Sequence, residues 1–410
     1  MAVGKETFGT LYPVQGFRLG TTKAGVKKPD RRDLVVMEVA AGSTIAGVFT
    51  LNAFCAAPVH ICKQHLTTTG GQATEKAFLI TNTGYANAGT GEAGMRNAMA
   101  VCEQLASTAG VSVQHILPFS TGVIGEPLPV ERIVKGIPAA LDALSEAGWV
   151  EAAHGIMTTD TRPKAVSVQL QLEGKTVTIT GIAKGAGMIK PNMATMLGYV
   201  ATDAAIGTAL LQKLAKDATD ISFNAITVDG DTSTNDSCIL VATGQSGVAI
   251  KVEKPDNLEL FQAALNDVFV QLAHAIVRDG EGATKFITVA VEQADSVEEA
   301  REVAYTVAHS PLVKTALFAS DPNWGRILAA VGRADIDKLD VTGVDLYLND
   351  VLIAQGGALA ASYTEAAGAA EMQKEEIEIR IVLGRGQASA NIYTTDFSYD
   401  YVKINADYRS

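Results

Sequence analysis

Alternating apolar and polar residues predict β-strands in several parts of the chain. Residues 166–172 and 175–180 alternate on either side of Glu173 and Gly174, which predicts a β-hairpin with the glycine in its turn. The same reasoning predicts strands at 33–39, 76–81, 238–242, 248–252, 376–383 and 388–393. We expect the last two to pair with each other across the glycine-containing segment 384–386.

Apolar residues at helical spacing predict five helices, at 92–106, 130–147, 203–218, 258–277 and 296–309. Ser296 and Glu299 have the spacing of a capping box at the start of the last helix. Strands and helices are mixed and hairpins are present, which favours layered α/β sheets over an all-parallel doubly wound fold. We expect a domain boundary near 280–285, where a long helix gives way to Asp-Gly-Glu-Gly.

The composition narrows the functional classes. A length of 410 residues suits two or three domains, and 47% hydrophobic residues allow a large core. The net charge of −12, with no Lys/Arg-rich block, argues against nucleic-acid binding. The N-terminus does not read as a signal peptide, and no stretch approaches about 18 consecutive apolar residues. We therefore expect a cytoplasmic protein without a membrane span.

Two groups of potential metal ligands fit no known metal motif. Cys55 and Cys62 lie near His60 and His65, but their spacing matches no usual zinc site, so they are better interpreted as thiols in a reducing compartment. A second, acidic group lacks the glycine and final glutamate of an EF-hand loop; it comprises Asp229, Asp231 and Asn235. We expect no metal.

The segment KGAGMIKPNMATML, residues 184–197, has three interpretations. Gly185 and Gly187 could form a strand-to-helix turn with Thr195 at the start of the helix. The glycines could instead surround a phosphate, although the segment contains neither a P-loop nor the acidic residue of a dinucleotide site. In the third interpretation, Thr195 is a nucleophile.

A nucleophilic threonine requires a base, and its own α-amine can serve when threonine is the first residue of a chain. The ordinary pKa of an α-amine is about 7.7–8, so part of it is unprotonated at neutral pH. Thr195 is internal, so this chemistry requires cleavage of the Ala194–Thr195 bond. The threonine could cleave that bond itself, by attacking the preceding carbonyl to form an ester that water then hydrolyses.

Seven motifs, in order, resemble the ArgJ family of ornithine acetyltransferases, also called glutamate N-acetyltransferases, of arginine biosynthesis. They are spread from residue 120 to the C-terminus: STGVIGEPLP (120–129), MTTDTRPK (157–164), KGAGMIKPNMATML (184–197), TVDGDTSTND (227–236), RDGEGATKF (278–286), SDPNWGRI (320–327) and YVKINADYRS (401–410). The N-terminal GTLYPVQGFRLG is a looser match.

The resemblance implies an αββα layered sandwich, similar in outline to N-terminal-nucleophile hydrolases, with a smaller second α/β domain. It implies self-cleavage into an α chain, 1–194, and a β chain, 195–410, commonly assembled as an α2β2 heterotetramer. We expect a main domain over about 1–285, a smaller domain over about 286–390, and a C-terminal tail, 391–410, that returns to the active site.

The resemblance also implies roles for individual residues. Thr195 would be the nucleophile, cleaved from Ala194, and Thr121 with Gly122 would form the oxyanion hole. The residues expected to bind substrate are Thr158, Lys184, Thr195, Glu281, Asn405 and Ser410. No role is assigned to Asp231, Asn235, Asp236 or the segment 321–326, which we expect to be scaffold or wall residues.

The implied reaction is ping-pong transfer of acetyl from N-acetylornithine to glutamate through an acetyl-Thr195 ester, releasing ornithine and N-acetylglutamate. No cofactor is expected, although some family members also accept acetyl-CoA as the acetyl donor. Two alternatives stay open at this point. One is a self-cleaving aminopeptidase or amidase of the related β-aminopeptidases, which characteristically use serine. The other is a non-catalytic amino-acid-binding protein with a glycine-rich loop.

Overall fold

The computed structural model describes residues 2–4, 8–190 and 196–407, and these form two compact units. The first, here called the sandwich unit, contains the described residues between 8 and 224 together with Asp231–Ile276. The second, here called the C-terminal unit, contains residues 2–4, Ala225–Gly230 and the described residues from Val277 onwards. The unit border therefore lies before the predicted 280–285, and the short segment Ala225–Gly230 also belongs to the C-terminal unit.

Two sheets form the centre of the sandwich unit. The first has the order β1-β2-β4-β5, with only β4 and β5 parallel; its strands are β1 (Phe17–Thr22), β2 (Leu34–Val39), β4 (Ala77–Tyr85) and β5 (Ile116–Val123). The second has the order β3-β10-β8-β7-β6, with only β8 and β10 parallel; its strands are β3 (Thr44–Phe49), β6 (Lys164–Leu172), β7 (Lys175–Lys184), β8 (Leu197–Thr202) and β10 (Ser237–Ala242). The short strands β9 (Ala205–Ile206) and β11 (Ala249–Ile250) pair separately.

Strand β2 shows why the sheets stack between helices. All six of its residues are buried, and successive side chains point to opposite faces. Val35 and Met37 join the core between the two sheets, where Phe119 meets Tyr199 edge-on at a centroid distance of 5.2 Å. Val36 faces the other way, into the core beneath the outer helices. A strand that carries apolar side chains on both faces must be covered on both.

The helices of the sandwich unit lie mainly outside the sheets. Helices α1, α2 and α3 cover the first sheet, α5 packs on β3 and β10, and the side chain of Leu272 on α6 approaches Gly181 of β7. The helices are α1 (Ala57–Thr69), α2 (Gly91–Ala109), α3 (Val130–Asp142), α4 (Trp149–Gly155), α5 (Thr208–Asp220) and α6 (Pro255–Arg278). The predicted αββα sandwich is confirmed.

Helix α6 is long and apolar enough, by length and composition alone, to cross a membrane. Its apolar face, which includes Phe261, Leu265 and Phe269, is fully buried within the protein. Core helices pass the same test of length and composition, so α6 is explained as a core helix of the sandwich unit.

A six-stranded sheet organises the C-terminal unit, in the order β15-β14-β13-β16-β12-β17. The strands are β12 (Phe286–Ala294), β13 (Asp345–Leu348), β14 (Val351–Gln355), β15 (Ala358–Leu359), β16 (Glu376–Val382) and β17 (Ala388–Thr395). The helices are α7 (Val297–Ala308), α8 (Pro311–Phe318), α9 (Trp324–Gly332), α10 (Glu365–Met372) and α11 (Tyr399–Ala406). Short 3-10 turns occur at Val113–His115, Phe223–Ala225 and Val341–Gly343.

The local predictions were confirmed where turn and cap chemistry was explicit. The hairpin of β6 and β7 turns at Glu173 and Gly174, which both have positive φ. Ser296 caps α7 by accepting a hydrogen bond from the Glu299 N–H. The strand predicted at 248–252 is reduced to the two residues of β11, and the helix predicted at 130–147 ends at Asp142.

The predicted pairing of the last two strands is wrong. Strand β12 lies between β16 and β17, parallel to the first and antiparallel to the second. The connection after β16 does not close a hairpin, because the N–H groups of Arg385 and Gly386 both donate to the Gln293 carbonyl at the end of β12. The segment predicted as a tail from 391 begins within β17.

Candidate active site

The next-to-last residue of β5 is a glycine that no other residue could replace without strain. Gly122 has a φ of 135°, and a Cβ atom there would lie 2.3 Å from the Gly84 carbonyl carbon. Thr121 precedes it and is buried. The end of β5 thus combines a hydroxyl with a backbone that carries no side chain, which suits the hydrogen-bonding needs of an oxyanion.

Lys184 and Thr121, both predicted from the sequence as site residues, are brought together. Lys184 is the last residue of β7 and only 3% exposed, and its Nζ donates to Thr121 Oγ1 at 3.3 Å. An ammonium group cannot accept a hydrogen bond, so the Thr121 hydroxyl does not donate to Lys184 and can direct its hydrogen to another group. Lys184 also pairs with Leu197, the first residue of β8, in the sheet register.

Asp160 is a central residue that sequence reasoning missed. Its Oδ1 accepts from Lys164 Nζ at 2.6 Å and from the Gly185 N–H at 2.7 Å, while its Oδ2 accepts from the Thr158 N–H at 2.9 Å. The carboxylate therefore ties the predicted substrate residue Thr158 to the chain immediately after Lys184. The only signal in the sequence was that Asp160 and Lys164 share the TTDTRPK motif with Thr158.

The charge on Asp160 is held by its neighbours. Burial alone would raise the pKa of this carboxyl, but the positive charges of Lys164 and Lys184 lower it. Hydrogen bonds from the Lys164 side chain and the Thr158 N–H act in the same direction, so the pKa lies well below its usual range. Asp160 is thus an ionised group fixed between two lysines.

Two residues that we had expected to be scaffold support the same region. Asn235 Nδ2 donates to the carbonyl oxygens of Ser120, at 2.9 Å, and Ala86, at 2.6 Å. Asp236 Oδ1 accepts the Met196 N–H at 3.0 Å. Burial raises the pKa of Asp236 well above its usual value, against the lowering effect of the Lys184 charge. Met196 is the residue that follows the predicted nucleophile in the sequence.

Glu281 and Asn405 meet within the C-terminal unit. Glu281 follows α6 and is buried, and its Oε2 accepts from Asn405 Nδ2 on α11 at 2.8 Å. Gly282, next to Glu281, has a φ of 71°, and a Cβ there would lie 2.5 Å from the Tyr401 nitrogen. The loop can approach the start of α11 only because this residue is glycine.

Three predicted site residues, Ala194, Thr195 and Ser410, lie outside the described residues. The other predicted site residues form the two sets given above, one in each unit. In the part of the chain that the structure describes, no three His, Cys, Asp or Glu side chains are grouped to hold a metal. Cys62 Sγ and His65 Nδ1 instead contact the carbonyl oxygens of Pro118 and Ile116.

Comparisons with known proteins cover almost the whole chain. The sequence model of the ArgJ family matches residues 18–410. The arginine biosynthesis bifunctional protein ArgJ of Pseudomonas fluorescens is 58% identical over 413 residues, and that of Pseudomonas syringae pv. tomato is 57% identical over 411; each alignment covers all of both chains. A crystal structure of the Bacillus halodurans protein of the same name is 37% identical with a TM-score of 0.50, and the match covers 52% of this chain and 99% of that one.

Replacing Asp160 by Asn should lower the free energy of unfolding by about 3–5 kcal/mol, because Lys164 would lose its buried counter-charge. Since the pKa of Asp160 is lower in the folded protein, this stabilisation is complete above about pH 4. It is lost only as the pH falls through the folded value. Urea denaturation at neutral pH measures the difference.

Asp217→Asn is the matched control for this substitution. Asp217 pairs with Lys213 at the same i,i+4 spacing, but Lys213 is exposed and Asp217 is partly exposed. Such a surface pair contributes roughly 0–1 kcal/mol. Equal losses in the two variants would contradict the account of Asp160.

Proposed function

The chain belongs to the ArgJ family, and from that premise we propose that it is a self-cleaving acetyltransferase of arginine biosynthesis, moving acetyl from N-acetylornithine to glutamate. The observation that carries the proposal is the 58% identity, over the whole of both chains, to a relative named arginine biosynthesis bifunctional protein ArgJ. The buried Lys184–Thr121 contact supports it, because acyl transfer needs donors near a developing negative charge.

Self-cleavage at Ala194–Thr195 is the first step of the proposed function. The Thr195 hydroxyl attacks the Ala194 carbonyl carbon, a C–O bond forms, and the C–N bond breaks. The hydroxyl proton ends on the released α-amine, and water then hydrolyses the ester. The Bacillus halodurans chain supports this step, because it is matched over nearly its full length and yet spans about half of this chain.

Transfer then proceeds through an acetyl-enzyme. The free α-amine of Thr195 takes the hydroxyl proton as the oxygen attacks the acetyl carbonyl of N-acetylornithine. The Thr121 hydroxyl and the Gly122 N–H donate to the oxyanion, and losing one such donor typically costs about 2.7–4 kcal/mol. Ornithine leaves with a proton, and the amine of glutamate attacks the ester to give N-acetylglutamate.

The remaining predicted residues bind the amino-acid groups. Lys184 is a suitable partner for a carboxylate, and the bonds of Asp160 fix the backbone on both sides of the site, at Thr158 and Gly185. Glu281 is a suitable partner for an amino group and is held by Asn405. Ser410 completes the proposed set.

The wider assignments follow from the same premise. The relatives' name, bifunctional protein, supports acetyl-CoA as a second acetyl donor for glutamate. We further propose an α2β2 assembly of the two cleaved chains, located in the cytoplasm. An aminopeptidase or amidase would release acetyl or acyl groups to water, so partition of the acetyl-enzyme between glutamate and water separates the two activities.

Thr195→Ala should abolish processing. Wild-type protein should appear on a denaturing gel, and by intact mass, as fragments 1–194 and 195–410, and the alanine variant as one chain, because it lacks the attacking hydroxyl. Thr195→Ser is the control, since it retains a hydroxyl and should still be cleaved. A cleaved alanine variant would remove Thr195 as the processing nucleophile.

A C-terminal extension should impair transfer more than an N-terminal extension of the same sequence. The physical reason is that Ser410 is proposed to bind substrate, so added residues would occupy the site. Steady-state kinetics of the two tagged, processed enzymes measure the effect, and we expect at least about a tenfold difference in kcat/KM, worth about 1.4 kcal/mol. Equal kinetics would show that the chain end is not part of the site.

A further inference from the structure

The C-terminal unit contains a buried lysine to which no role has been assigned above. Lys314 is on α8 and is 1% exposed. Its Nζ donates to Thr394 Oγ1 at 2.9 Å and to the Thr395 carbonyl oxygen, and it lies 4.7 Å from the ring centroid of Phe397. Its own carbonyl oxygen accepts the Phe397 N–H at 3.1 Å. The residue therefore holds the segment that leads from β17 to α11.

The charge of Lys314 faces two carboxylates. Asp396 and Asp229 are the anions that act on it. Asp396 accepts hydrogen bonds from the Thr284 N–H at 2.8 Å, the Thr284 hydroxyl at 2.5 Å and the Lys285 N–H at 3.0 Å. These bonds attach the end of β17 to the loop that begins at Glu281. Lys314 thus places a positive charge near Asp396, the carboxylate that holds this loop.

The same cluster extends into the helix that carries Asn405. The Tyr401 hydroxyl contacts Asp229 Oδ2 at 3.3 Å, and the Tyr401 ring stacks on Phe397 at a centroid distance of 4.8 Å. One turn later on α11, Asn405 Nδ2 donates to the Tyr401 carbonyl oxygen at 3.0 Å and to Glu281 Oε2 at 2.8 Å. The loop and the helix are therefore fixed by one buried cluster.

We propose that Lys314 is a positioning residue for amino-acid substrates, holding the Glu281 loop and α11 in the arrangement in which Glu281 and Asn405 meet. The inference rests on the proposed function only in assigning these two residues to substrate. The proposed role is exerted through Glu281 and Asn405. Its loss should weaken substrate binding, while self-cleavage, which is assigned to Thr195, should continue.

The position also makes the arrangement sensitive to pH. Burial is the main cause that lowers the pKa of Lys314 to about 7, although the charges of Asp396 and Asp229 act in the opposite direction. Asp396 also acts on the charge of Lys285, and Asp229 also accepts a hydrogen bond from the Tyr401 hydroxyl. As the pH rises through about 7, Lys314 loses its proton, and the cluster loses the charge that faces Asp396 and Asp229.

The test compares Lys314→Met with the wild-type enzyme. Methionine keeps the length and apolar stem of lysine but removes the charge and the donor. We expect complete self-cleavage, a KM for glutamate and for N-acetylornithine raised about tenfold near pH 6, and kcat within about threefold of wild type. For each substrate, the ratio of the KM of the variant to the KM of the wild type should fall towards one above about pH 8, because the wild-type lysine is then largely neutral.

Lys374→Met is the control for the substitution itself. Lys374 is an exposed lysine of the C-terminal unit, and its Nζ donates to Glu371 rather than to the β17 end. Its KM values should stay within about twofold of wild type. Should Lys314→Met not fold, Thr394→Val removes one acceptor at similar volume, with an expected rise in KM of about threefold.

Three results would overturn the proposal: wild-type KM values in folded Lys314→Met, wild-type values in Thr394→Val where the first variant does not fold, or a KM ratio that is constant with pH. The last would indicate a packing role only. Calorimetric binding of ornithine to the processed variants repeats the comparison without turnover. A wild-type enzyme that binds ornithine but transfers no acetyl would contradict the proposed function, and the binding comparison would still decide the role of Lys314.

Discussion

The buried positive charge of Lys184 is the constraint on which the candidate site of the sandwich unit depends. An ammonium removed from water is costly unless nearby anions and acceptors compensate for it. Asp160 and Asp236 both respond to this charge, which lowers the pKa of each carboxyl. Asp160 stays ionised, while burial dominates at Asp236. The compensation keeps a cation beside Thr121, which suits the proposed contact of Lys184 with the carboxylate of an amino acid.

The pairing of β7 with β8 relates the position of Lys184 to the chain next to the predicted cleavage site. Lys184 ends β7 opposite Leu197, where β8 begins. A slip of one residue would turn Lys184 to the opposite face of the sheet and separate it from Thr121. The hydrogen bond from the Met196 N–H to Asp236 fixes the start of β8 a second time. Both the end of β7 and the start of β8, which flank the predicted cleavage site in sequence, are therefore held by contacts of described residues.

Features that depend on neighbouring residues, such as turns and helix caps, could be predicted from the sequence. Strand pairing could not be predicted where distant segments compete for the same partner strand. Period-two alternation and a glycine turn were enough for the β6–β7 hairpin, and one hydroxyl was enough for the cap of α7. The place of β12 between β16 and β17 is decided by hydrogen bonds from residues about 90 to 110 positions away in sequence. No local pattern encodes such a choice.

The same limit applied to the site. The pairing of Lys184 with Thr121 joins residues far apart in sequence, and it was anticipated only because both lie in motifs that resemble the ArgJ family. The roles of Asp160 and Lys314 could not be predicted, because the sequence alone does not distinguish a buried ionised side chain from an exposed one. Their burial and partners, not their residue type, distinguish them.

The proposed mechanism depends on the transfer of acetyl through a covalent ester on Thr195. The most direct measurement is the intact mass of the 195–410 chain after processed enzyme is mixed with N-acetylornithine in the absence of glutamate, followed by peptide mapping. One added acetyl group is expected on the first residue of that chain, and it should be lost as N-acetylglutamate forms when glutamate is added. An unmodified chain during continued transfer, or an acetyl group on another residue, would contradict this mechanism.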